Sequence, residues 1–82
     1  MIAAATMPSA RHAGAWAAVR VRVAQAFDRL AKRRLERDYD RLVQALNETA
    51  ERMHDMDYKQ AWAHLTAVVD LIEDDVRRLT GG

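Results

Sequence analysis

Apolar residues recur at helical spacing over most of the chain, and three separate stripes can be traced. The most regular is the last, in which Tyr58, Trp62, Leu65, Val69, Ile72, Val76 and Leu79 follow one another at steps of four and three. That spacing puts side chains on one side of an α-helix and predicts a helix over about residues 57–79. Asp57 stands where an N-cap is needed, and Gln60, three residues on, completes an Asp form of the capping box. Arg77 and Arg78 suit the negative pole at the other end, and Gly81 is able to take the left-handed conformation that stops a helix.

A second stripe, Leu35, Tyr39, Leu42, Leu46, Thr49, Met53 and Met56, has the same steps and predicts a helix over about residues 35–55. From Met56 to Tyr58 the step is only two, so the two stripes cannot share one straight helix. The chain must reverse at His54 to Asp57, giving an antiparallel helical hairpin although neither glycine nor proline marks the turn.

The leading stripe is Trp16, Val19, Val23, Phe27 and Leu30, on a basic amphipathic helix over about residues 10–33 with Ser9 as its expected N-cap. Val19, Val21 and Val23 also alternate with Arg20 and Arg22 as a strand would, but no partner strand exists in the sequence. Gly14 weakens the start of this helix by about 1 kcal/mol relative to alanine. On a continuous helix the stripes ending at Leu30 and beginning at Leu35 would lie roughly 120° apart. Two all-α arrangements follow. Either the chain bends near residues 31–34 and three helices pack as a bundle, or one helix of about 45 residues, about 65 to 70 Å long, overhangs the hairpin and leaves Trp16, Val23 and Phe27 uncovered.

A length of 82 residues allows one domain, read as residues 10–80 after a flexible arm at 1–9. A chain of this size buries only about 60 to 65% of its unfolded surface. Half the residues are apolar but only 6% aromatic, so the core must be built from Ala, Val, Leu and Met in closely packed helices. Cysteine is absent, which excludes disulfides and thiolate zinc sites and leaves self-association, as a coiled-coil-like homodimer, as the means of reinforcing a thin core. No run reaches the roughly 18 apolar residues of a membrane span, and a soluble, cytoplasmic protein is expected. Arginines among alanines with no acid before Asp28 loosely resemble a mitochondrial transit peptide, but the pattern runs on into a periodic helix without a processing boundary.

Charge is unevenly placed. Residues 1–41 carry nine Lys/Arg against four Asp/Glu, and residues 42–82 carry four against eight. Pairing of a basic helix with an acidic one explains this, and an anionic partner for the basic half is the sharper alternative. Arg11, Arg22, Arg29 and Arg33 project to one edge of the first helix, while Arg34, Arg37 and Arg41 continue its apolar line. Asp28, Glu36, Asp38 and Asp40 interrupt the basic run, with Asp28 set to pair with Lys32 and Glu36 close to Arg33 and Arg37.

Candidate chemistry is sparse. Glu51 and His54 have the Glu-x-x-His spacing of helical di-iron sites, but both point away from the second stripe and no second copy of the motif occurs, so no metal is expected. His64 lies beside the third stripe, near Asp57, as a surface histidine. A single serine and no phosphate cradle leave no nucleophile with an orienting base, so neither catalysis, a cofactor nor a small-molecule substrate is expected. Asp57-Tyr58 followed by Ala61 and Leu65 resembles the start of the second helix of a tetratricopeptide repeat, with Met56 where glycine is usual. One such unit implies a helix-turn-helix and nothing more. The reading is a small non-enzymatic protein–protein interaction module: an adaptor, an assembly or secretion chaperone, or an inhibitor. It binds another protein and itself through the apolar set Trp16, Val19, Val23, Phe27 and Leu30 and the basic set Arg22, Arg29, Arg33, Arg34 and Arg37. The alternative is a nucleic-acid-binding regulator that uses the basic side of the first helix.

Overall fold

A computed structural model describes residues 12–81, which form three helices: α1 (Ala13–Lys32), α2 (Glu36–Arg52) and α3 (Tyr58–Thr80). The arm at residues 1–9, Ser9 as a cap and Arg11 lie outside the described residues. A single 3-10 turn, Met53–Asp55, follows α2. The chain is all-α and bends after α1, so the three-helix arrangement is the one adopted and the 45-residue rod is not.

The bend is built without glycine. At the end of α1 the Leu35 amide donates to the Leu30 carbonyl at 3.0 Å, and the Arg34 amide to the Ala31 carbonyl at 3.0 Å. These are the nested bonds of a Schellman ending, which needs a left-handed residue at the position of Arg34, and Arg34 has φ 57°. Leu35 then acts at once as the N-cap of α2, its carbonyl accepting from the Tyr39 amide at 2.9 Å. The stop at Leu30 and the restart at Leu35 absorb the roughly 120° mismatch between the two apolar stripes.

The second reversal uses the 3-10 turn. The Met56 amide donates to the Met53 carbonyl at 3.1 Å, after which Met56 and Asp57 are extended. Asp57 caps α3 as expected: its Oδ1 accepts from the Gln60 amide at 2.8 Å, and Gln60 Oε1 accepts from the Asp57 amide at 3.3 Å. At the far end Gly81 has φ 72° and terminates the helix.

Helix α3 packs most extensively on α1, and less on α2. Three contacts fix the α1–α3 register: Tyr58 beside Gly14, Arg22 to Asp70 and Glu73, and Arg29 to Thr80. Both residue numbers rise together, so α1 and α3 run parallel, with α2 antiparallel to both. Ala15, Ala26 and Ala61 are fully or almost fully buried, and such small side chains let two helix axes approach closely. Helix α2 and the turn after it meet the others through longer side chains, Leu42 and Leu46 of α2 and Met53 of the turn. Tyr39 closes the α1–α2 contact against Phe27, with ring centroids 5.2 Å apart. Below, buried His12 donates from Nε2 to the Met53 carbonyl at 2.8 Å, pinning the start of α1 to the end of α2.

The apolar contact stripe expected on α1 needs correction. Val19, Val23, Phe27 and Leu30 are buried in the chain's own core, and Trp16 is half-buried against it. Because the chain bends back at Arg34, this stripe has no overhang and is consumed in folding. Correspondingly, Tyr58, Trp62 and Leu79, read as seam residues of α3, are 51%, 45% and 38% exposed, while Ala61 and Thr80 are buried in their place. Beside Tyr58 the neighbour is Gly14, which has no side chain to cover a ring.

Candidate interaction surface

The basic residues divide into two groups once α3 is in place. Arg22 points at α3 and grips Glu73 side-on, from Nε to Oε2 at 3.1 Å and from Nη2 to Oε1 at 2.5 Å, while Nη2 also reaches Asp70. This two-pronged, charge-assisted geometry holds the Glu73 carboxyl below the usual carboxylate range and raises the Arg22 guanidinium. Arg29 donates to Thr80 Oγ1 at 2.9 Å, and Thr80 in turn donates to the Val76 carbonyl. Arg41 bridges Asp38 and Asp75, which lowers the Asp75 carboxyl, and Arg78 adds a second contact to Asp75. Asp28 and Lys32 pair at 3.0 Å as their spacing implied. Arg22 and Arg29 are therefore fastenings between α1 and α3.

Arg33, Arg34 and Arg37 are different. All three are exposed, and none makes an ion pair among the described residues. Arg33 and Arg34 sit in the three-residue bend, residues 33–35, that joins α1 to α2, and Arg37 is in the first turn of α2. Glu36 and Asp40, also exposed, have no ion partner there either, so the expected pairing of Glu36 with Arg33 or Arg37 does not form. Beside these charges opens a shallow cleft of about 370 Å³ lined by Leu30, Ala31, Arg34, Leu35, Glu36, Tyr39 and Asp40. Its volume lies within the range of about 300 to 1,000 Å³ found for small-molecule sites, but its open form suits a side chain of a larger partner better than an enclosed ligand. Phe27 packs on the Tyr39 ring, and buried Leu30 and half-buried Leu35 contribute the apolar part of the lining.

Arg34 is the one residue other than glycine with positive φ among the described residues. A left-handed residue carrying a Cβ costs roughly 1 kcal/mol or more relative to glycine, and such outliers collect at functional positions. Here the strained backbone carries an unpaired guanidinium at the mouth of a cleft. The sequence reading included Arg34 but missed Glu36, Tyr39 and Asp40 as its neighbours. The phase jump between Leu30 and Leu35 was the available signal, because a bend there must bring the start of α2 beside the end of α1.

The other sequence candidates do not converge on a site. Glu51 and His54 are exposed, as their phase implied, and His64 is half-buried with a buried Nε2 that has no hydrogen-bond partner. Among the described residues no group of three or more His, Cys, Asp or Glu side chains is placed to hold a metal ion, and no helix is long and apolar enough to cross a membrane. No protein-family model, curated protein or solved structure matches the chain.

Proposed function

We propose that the protein is a small non-enzymatic interaction module that binds another protein at the α1–α2 corner, in the manner of an adaptor, an assembly or secretion chaperone, or an inhibitor. One observation carries this reading: the fold keeps a strained, non-glycine residue at the bend and leaves Arg34, Glu36 and Asp40 unpaired in the lining of a partly apolar cleft, with Arg33 and Arg37 exposed and unpaired next to them in the chain. Arginine and tyrosine bordering a partly apolar depression are the residue types that concentrate binding energy at protein interfaces. Capture from a cell extract on immobilised protein tests the reading, with R33A/R34A/R37A as the comparison. Partners retained by the native chain and lost by the triple variant support it, and an unchanged set of captured proteins overturns it. Self-association belongs to the same proposal, and light scattering of the purified chain over a dilution series measures it directly.

A nucleic-acid-binding regulator is the second reading, favoured by one feature: residues 29–41 carry six Lys/Arg against three Asp/Glu. It requires affinity for DNA or RNA that falls steeply with salt and weakens when Arg33, Arg34 and Arg37 are neutralised. Absence of gel retardation at low salt removes it.

A further inference from the structure

We propose that the outer side of the α1–α3 pair is where the protein binds a second copy of itself, with the two α3 helices antiparallel across a two-fold axis. This rests on the self-association included in the reading above and names its surface, which lies toward the other end of α1 from the corner. Among the described residues five large apolar side chains are exposed, and three of them, Val21, Tyr58 and Trp62, lie on this side. The Tyr58 ring borders Gly14 of α1, where a Cβ would come within 3.4 Å of its hydroxyl. One turn on, Trp62 follows Tyr58 along α3 as Ala18 follows Gly14 along α1, and Val21 comes next on the same side of α1. Trp62 is 45% and Val21 62% exposed, where a surface helix ordinarily presents polar groups.

Charge identifies the occupant as a second copy. Lys59, Ala63, Thr66 and Asp70 recur at steps of four, three and four, so they form one outward stripe of α3. Trp62 flanks that stripe on the side of Glu73, the residue that Arg22 of α1 grips. The stripe therefore opens with a cation, holds two small side chains, and closes with an anion. A two-fold axis between Ala63 and Thr66 has Lys59 and Asp70 equally far on either side, about 8 Å along the helix. It carries Lys59 of each copy to Asp70 of the other, so one stripe complements itself twice. Lys59 is exposed and has no ion partner among the described residues, while the Asp70 side chain stays 61% exposed with a single ion pair, to Arg22. Small side chains at the crossing let the two α3 helices come close and bring the other copy over Trp62. Three large side chains and a short stripe cover less than the roughly 800 Å² per partner of a standard interface, so the dimer belongs to the weak, reversible class.

Sedimentation equilibrium of the full chain, from micromolar to millimolar concentration at low salt, measures the association, and the indole NMR signal of Trp62 reports the surface. A dimer is expected, with the Trp62 signal moving as it forms. K59D and D70K are each expected to dimerise about tenfold more weakly, because like charges then meet at both crossings. An equimolar mixture of the two is expected to regain native strength, since both crossings again join opposite charges, and that recovery also shows that each variant is folded. W62A is expected to weaken the dimer about tenfold with its helical circular dichroism unchanged. A chain that stays monomeric, a dimer that all three variants leave untouched, or a mixture no stronger than either variant alone would each overturn the proposal. So would a Trp62 shielded from acrylamide quenching equally at every concentration, which assigns its cover to another part of the same chain. If the dimer ignores these variants and is broken by R33A/R34A/R37A, this surface falls and self-association stands at the corner. If no dimer forms at all, self-association falls with this surface, and dependence of extract capture on the corner arginines still decides the protein-binding reading.

Discussion

Replacing Arg34 by glycine should make the protein more stable. The native φ of 57° is a conformation in which a Cβ crowds the following carbonyl, at a cost of roughly 1 to 2 kcal/mol that glycine avoids. Glycine also has more freedom to lose on folding, which returns about 0.5 to 1 kcal/mol to the unfolded state. The net gain expected is about 0.5 to 1 kcal/mol, or about 2 to 8 °C in Tm for a domain of this size. Charge complicates the reading, because the substitution also removes one of three neighbouring cations. Arg34→Ala separates the two effects, since alanine loses the charge but keeps the crowded Cβ. Urea unfolding followed by helical circular dichroism, with the slope unchanged, gives both numbers. R34A should lie within about 0.5 kcal/mol of the native chain, as expected for an exposed charge, with R34G above it. An R34G protein no more stable than R34A would mean that the bend is not left-handed, and the argument that the fold carries strain at the cleft would go with it.

Three further outcomes follow from the packing. Ala61→Leu should destabilise by about 1 to 3 kcal/mol in chemical denaturation, because the added atoms must be placed where α1 and α3 approach closely; no loss would show that the two helices are further apart. His12→Ala removes one of the two donors to the Met53 carbonyl, the Met56 amide being the other, at a cost of about 0.5 to 1.5 kcal/mol, and should speed amide exchange in the first turns of α1 more than elsewhere. Acid should also weaken the fold. Glu73 and Asp75 are held below their unfolded values by Arg22 and Arg41, so the stability they contribute is complete above an unfolded pKa of about 4 and is lost as pH falls through their lower folded values. Unfolding curves between neutral and acid pH should show that decline, and it should be shallower for E73Q.

Much of the fold could be read from spacing because large apolar residues at steps of three and four leave little choice of partner face. The cap at Asp57 and the stop at Gly81 were legible for the same reason: each depends on local geometry alone. What the spacing missed was alanine. Ala15, Ala26 and Ala61 are invisible in a stripe of large side chains, yet their small size makes α1 the main neighbour of α3, so the hairpin of α2 and α3 is only part of the architecture. That placement explains why Val19, Val23, Phe27 and Leu30 were taken for a contact surface when they are core. The arginines show the same limit. Arg22 and Arg34 both entered the basic set read from the sequence, and only the position of α3 makes the first a fastening and leaves the second free of ion pairs.

The parallel run of α1 and α3 also bears on how the chain comes to be folded in a cell. Arg22 meets Asp70 across 48 residues, so the greasy side of α1 leaves the ribosome well before its cover exists. At translation speeds of about 5 to 20 residues per second, that delay is on the order of 2 to 10 seconds. For that interval Val19, Val23 and Phe27 form a naked, aggregation-prone strip on the nascent chain, and holdase chaperones have their best opportunity to bind there.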